Sequence, residues 1–92
     1  MKLYKIDRSS KFKHEYRKIA KRGNNMDLLE DVITLLAHDI PLPQKYHDHA
    51  LKGNWLGYRE CHIAPDWLLI YKIEADVLIL VLQRTGSHSD LF

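Results

Sequence analysis

His47, His49, His62 and His88 fall in the second half of a 92-residue chain, together with Glu60, Asp66, Arg84 and a closing Phe92. Imidazole is the side chain whose ordinary pKa, about 6.5, lets it give or take a proton near neutrality. Imidazoles beside an arginine and a carboxylate suit metal-free proton transfer at a phosphate, one as base and another as acid. Metal ligation is the competing use. His47-x-His49 and Cys61-His62 offer zinc donors, but the chain has no C-x-x-C, H-x-x-x-H or H-E-x-x-H pair. A site without metal or other cofactor is therefore expected. Cys61 is a poor candidate nucleophile, since nothing beside it would lower its pKa.

Positions 57–63 alternate as a strand, with Tyr58, Glu60 and His62 on one face and Arg59, Cys61 and Ile63 on the other. A phenol, a carboxylate and an imidazole in a row do not suit a core-facing strand, because an unpaired buried polar group costs roughly 1–3 kcal/mol. That face is expected to be wet or to line a site. Asp66, after Pro65, fits either a turn residue or a carboxylate that orients His62 or His88 and selects the tautomer. Trp67 fits either the core or a platform for a base, where stacking is worth roughly 1–3 kcal/mol. In the tail RTGSHSDLF, Gly86 permits a sharp bend, and the terminal Leu-Phe side chains gain from docking. Strict alternation would put Arg84 on the core side with Leu78, Leu80 and Leu82. A bulge near Gln83, or a strand ending there, would release it.

The elements that must position these residues follow from periodicity. Leu3–Ile6 reads as an opening strand. A helix capped by Ser9 or Ser10 and closed by Gly23 carries Phe12, Tyr16 and Ile19 as its apolar stripe. A second helix, started by Asn25 or Asp27, buries Met26, Leu29, Val32, Ile33 and Leu36 and stops before Pro41-Leu42-Pro43. Residues 44–56 read as a polar loop with room for one short strand. Strands over 57–63, 67–73 and 77–85 follow, the last two joined as a hairpin through Glu74-Ala75-Asp76. This order predicts α+β: two N-terminal helices packed on one face of a mainly antiparallel, roughly four-stranded sheet, in one domain spanning 1–92.

The net charge of +2 conceals a split. Residues 1–22 hold nine Lys/Arg against two Asp/Glu, whereas residues 23–92 hold five against ten. On the first helix Lys11, Lys18 and Arg22 share the face opposite the apolar stripe, with His14 and Lys21 alongside and Lys2, Lys5 and Arg8 close by. Such a ridge suits a polyanionic partner, and a solvated lysine-rich helix is the plainer alternative. Apolar runs such as Trp67–Tyr71 are too short to span a membrane, for which about 20 residues are needed. The opening MKLYKIDRSS lacks the pattern of a secretory signal, and one cysteine allows no internal disulfide. A cytoplasmic location is expected.

The segments IPLPQKYHDHALKGNW, GYRECHIAPDWLLIY and RTGSHSDLF, in that order, resemble the YafQ branch of the RelE/ParE superfamily of bacterial toxins. The resemblance covers nearly the whole chain. It implies a RelE-like fold and the toxin of a type II toxin–antitoxin system. It also implies a metal-independent mRNA interferase that cuts message in the ribosomal A site and is silenced by a cognate antitoxin in a hetero-oligomer. Matched residue by residue, it implies catalytic or substrate roles for His49, His62, Asp66, Trp67, His88 and Phe92, a phosphate contact for Arg84, and an acidic role for Glu60. In the expected mechanism the 2′-OH attacks the adjacent phosphate, with His62 as base beside Glu60 and His88 as acid. Asp66 orients an imidazole, Arg84 and protonated His49 hold the phosphate, and Trp67 and Phe92 hold bases. Which imidazole is acid and which is base stays open. Lys11, Lys18, Lys21 and Arg22 would grip ribosomal RNA. Many members of the wider superfamily lack these histidines, and the ParE-like ones act on DNA gyrase, so a same-fold inhibitor of a protein target is the alternative.

Overall fold

The computed structural model describes residues 3–92, so Lys2 of the basic ridge lies outside the described residues. After a strand β1 (Lys5–Arg8), Ser9 caps helix α1 (Ser10–Lys21) by accepting the Phe12 N–H at 2.9 Å, and Gly23 follows its end with φ +90°. Asn25 caps helix α2 (Met26–Ala37) through the Asp27 N–H. Short 3₁₀ turns at Gln44–Tyr46 and Gly53–Trp55 flank a two-residue strand β2 (His49–Ala50). Strands β3 (Arg59–Ala64), β4 (Trp67–Glu74) and β5 (Ile79–Gly86) complete the sheet, and a four-residue helix α3 (His88–Leu91) closes the chain.

The architecture is α+β, with a five-stranded mixed sheet in the order β1-β5-β4-β3-β2 in place of the roughly four strands expected. The extra strand is β2, contributed by the polar loop. The mixed character comes from β1, which pairs parallel to β5, Lys5 opposite Ile79 and Arg8 opposite Leu82. The opening strand sits two residues later than 3–6, because Tyr4 is buried and its N–H donates to the Ala37 carbonyl at 2.7 Å, tying it to the end of α2. Leu78 is not on the core face with Leu80 and Leu82. It lies in the β4–β5 turn with φ +55° and is 42% exposed, and β5 begins only at Ile79, opposite Glu74.

Apolar side chains cover both sheet faces. Phe12, Ile19, Leu29, Val32, Ile33 and Leu36 of the two helices bury the face formed by Cys61, Trp67, Leu69, Tyr71, Leu80 and Leu82. On the other face Leu68, Ile70 and Leu91 form a smaller cluster with Leu51, Trp55 and Tyr58 against it. The central strand β4 therefore buries residues on both sides, which explains its uninterrupted WLLIY run. Among the described residues, no helix is long and apolar enough to cross a membrane.

Candidate active site

Alternation along β3 sends Cys61 and Ile63 into the helix-side core and Glu60 and His62 to the opposite face. Cys61 is fully buried, and burial pushes its thiol far up from its ordinary pKa. It is separated from the histidines by the sheet itself. Glu60, only 7% exposed, faces His49 across the β2–β3 ladder. Its Oε1 lies 3.5 Å from His49 Nε2 and 3.7 Å from His62 Nε2. His49 Nδ1 is 2.7 Å from the His47 carbonyl, which can only accept, so Nδ1 carries a proton. The Nε2 contact with Glu60 is then attractive only when a second proton sits on His49 or one sits on Glu60.

The turn from β3 to β4 holds Asp66, and α3 begins with His88. Asp66 Oδ1 accepts the His88 backbone N–H at 3.1 Å and lies 3.0 Å from His88 Nδ1. The hydrogen bond from the His88 side chain, with the backbone bond next, holds the Asp66 carboxyl below its ordinary range. With Nδ1 engaged by the carboxylate, Nε2 of His88 is left to exchange a proton. Asp66 is a turn residue whose carboxylate also meets the His88 imidazole. The rings then converge: His62 lies 6.4 Å from His49 and 5.9 Å from His88, centroid to centroid. His47 adds a fourth ring 5.6 Å from His62, presented by a left-handed backbone (φ +49°) after the 3₁₀ turn. Beside it opens a cavity of about 370 Å³ lined by Lys45, Tyr46, His47 and His62.

Other expected residues are placed differently. Trp67 is 4% exposed in the helix-side core, where its Nε1–H donates to Thr85 Oγ1 at 3.0 Å, so its ring presents no face for a base. Arg84 is released from the core side by a bulge: Ile70 faces Arg84 while Tyr71 faces Leu82, leaving Gln83 as the extra residue. Its guanidinium is held by Glu15 of α1, Nε to Oε1 at 2.9 Å and Nη2 to Oε2 at 2.7 Å. Phe92 is 63% exposed one turn beyond His88. On α1, Lys11 and Lys21 are exposed, but Arg22 binds Asp90 in two-pronged fashion, and Lys18 Nζ lies 3.8 Å from the same carboxylate. Among the described residues, no three His, Cys, Asp or Glu side chains are disposed to hold a metal ion.

Residues 4–92 match the family described as bacterial toxin of type II toxin–antitoxin system, YafQ. The chain belongs to the YafQ family. It is 41% identical over 88 residues to the mRNA interferase toxin YafQ of Escherichia coli strain K12, covering 95% of this chain and 94% of that protein. It is also similar to YafQ in the crystal structure of the E. coli DinJ–YafQ complex, with a TM-score of 0.89, 40% identity and coverage of 97% and 98% of the two chains. A metal-bound toxin from Helicobacter pylori superposes with a TM-score of 0.90 at 44% identity, over 98% of this chain and 99% of that one.

Proposed function

We propose that this YafQ-family toxin is an mRNA interferase, a ribosome-dependent endoribonuclease that cuts message in the A site without a metal and is neutralised by a cognate antitoxin. The observation that carries the reading is the convergence of His49, His62 and His88 beside Glu60 and Asp66 on the sheet face away from the helices. Acid–base cleavage of a phosphodiester needs one proton acceptor and one donor on either side of the phosphorus, and nothing more from the protein than charge compensation. In this reading His62, beside Glu60, takes the proton of the 2′-OH as that oxygen attacks the adjacent phosphorus. His88, oriented by Asp66, protonates the departing 5′ oxygen. A 2′,3′-cyclic phosphate and a 5′-OH result. Protonated His49 offsets the negative charge developing on the phosphate, and Arg84 joins it by exchanging Glu15 for the phosphate. Phe92 stacks on a base, and Trp67 acts through the core alone. Support also comes from relatives: the E. coli protein similar over 95% of this chain is named an mRNA interferase, and its YafQ is known in complex with DinJ.

Purified protein, stripped of transition metals with EDTA and then dialysed free of it, is tested on ribosome-bound message in magnesium buffer, with transcript 5′ ends mapped. His62→Ala and His88→Ala should each lower the cleavage rate by roughly 10²–10⁴-fold, the span of a general acid or base. Either variant cutting at the wild-type rate, or still arresting growth, would favour a non-catalytic inhibitor of a protein target instead. Free message cut as fast as ribosome-bound message would remove the ribosome from the reading.

A further inference from the structure

His88 and Phe92 depend on a helix too short to hold itself in place. Isolated helices shorter than roughly 12–15 residues are marginal at best, and α3 has four. Its position rests on Leu91, buried with Leu68 and Ile70, and on polar ties to the rest of the molecule, most of which pass through Asp90. Within α3, Asp90 closes a capping box: its N–H donates to Ser87 Oγ at 3.2 Å, and its Oδ2 accepts the Ser87 N–H at 3.0 Å. The same carboxylate reaches across to the end of α1, accepting Arg22 Nη1 at 2.8 Å and Nη2 at 3.2 Å. The Arg84 guanidinium, already held by Glu15 of α1, lies 3.5 Å from the Asp90 carbonyl. Gly86 makes this approach possible, because a Cβ there would stand 3.0 Å from Asp90 Cβ and Oδ2. A two-pronged guanidinium–carboxylate contact fixes orientation as well as distance, which a single lysine contact does not.

We propose that Arg22 and Asp90 are positioning residues, pinning the C-terminal helix against α1 so that His88 stays on Asp66 and within reach of His62. Arg22 then acts inside the protein and does not grip RNA. The consequence for turnover rests on the nuclease reading, whereas the positioning itself does not.

The test uses the full chain with Arg22→Ala, Arg22→Lys and Asp90→Ala, read in two ways. Carbon-detected NMR titration follows the Asp66 carboxyl, which the His88 contacts hold low in the wild type. Steady-state kinetics on ribosome-bound message follow kcat and KM. In Arg22→Ala the Asp66 titration should move up toward the ordinary value of about 3.9, and kcat should fall about three- to tenfold with KM within about twofold. Arg22→Lys, keeping one contact, should fall between. Asp90→Ala, which also opens the capping box, should lose more than about tenfold. A raised KM at unchanged kcat would make Arg22 an RNA contact and overturn the proposal. So would an Asp66 titration identical to wild type, including one accompanied by a lower melting temperature. If the wild-type protein cuts no message, the NMR arm still decides the positioning.

Discussion

Cys61 and His62 are neighbours in sequence with opposite fates, because a strand turns successive side chains to opposite faces. The thiol is sealed under the helices and its ionisation suppressed, while the imidazole joins three others in the open. Alternation made that division legible, and with it the grouping of Glu60 with His62. It said nothing useful about Trp67. In WLLIY every position is apolar, so no contrast marks which side faces solvent, and a base platform and a core tryptophan look alike. The fold decides for the core, with the indole N–H bonded to Thr85. Trp67→Phe should therefore lower stability by about 1–3 kcal/mol through the lost hydrogen bond and the space left behind. Cleavage per folded molecule should change by less than about threefold, since acid–base chemistry elsewhere is untouched. Chemical denaturation and single-turnover kinetics on the same preparation check both numbers. A hundredfold kinetic loss at wild-type stability would put the indole against a base.

Among the elements, those with a start signal, a stop signal and a periodic face were readable. The Ser9 and Asn25 caps, Gly23 and the apolar stripes bound α1 and α2 closely to where periodicity puts them. The tail was not. Four residues carry no periodicity, and the only sign of α3 is the Ser87-x-x-Asp90 capping pattern, too short to outweigh the usual fraying of a terminus. The β1 offset likewise reflects a tertiary bond from Tyr4 to Ala37. Because α3 is held by two carboxylates as well as by the buried Leu91, part of its hold on the molecule depends on pH. Contacts with His88 lower the Asp66 carboxyl, and Arg22, followed by the Ser87 amide, holds Asp90 well below the carboxylate range. A depressed folded-state pKa means the stabilisation is fully present above the unfolded value, about 3.9. It is lost as pH falls through the lower folded values. Acidification below about pH 4 should thus begin to loosen α3 while the sheet core, held by apolar burial, persists. Proton NMR shifts of Leu91 and Phe92 should move at a higher pH than the Trp67 indole resonance. All three moving together would mean that the tail is no weaker than the core.

At the scale of the whole molecule, order of elements and charge were the legible properties. Strand, two helices and a run of strands fixed the α+β class, but nothing local announces that residues 5–8 close the sheet against residues 79–82, since only distant chain segments meet there. The charge split was equally visible, and its meaning changes once folded. The basic first 22 residues and the acidic remainder partly neutralise one another across the fold, Arg22 and Lys18 with Asp90 and, in the opposite sense, Glu15 with Arg84. Lys11 and Lys21 are exposed on the same helix and, among the described residues, form no ion pair. If α1 meets RNA, these lysines displace counterions and Arg22, already neutralised, does not. Each phosphate contact contributes roughly 0.7–0.9 to the slope of log affinity against log salt. Lys11→Ala and Lys21→Ala should each shallow that slope by about one for binding to ribosomes, while Arg22→Ala should leave it unchanged. Binding isotherms between 50 and 200 mM KCl, roughly the range over which such contacts dominate, measure it. Equal loss of slope in all three variants would put Arg22 on RNA after all. No loss in either lysine variant would move the ribosome-facing surface away from Lys11 and Lys21, and the cations Arg8, Lys13 and Arg17 that line the groove by Tyr16 would be the next to substitute.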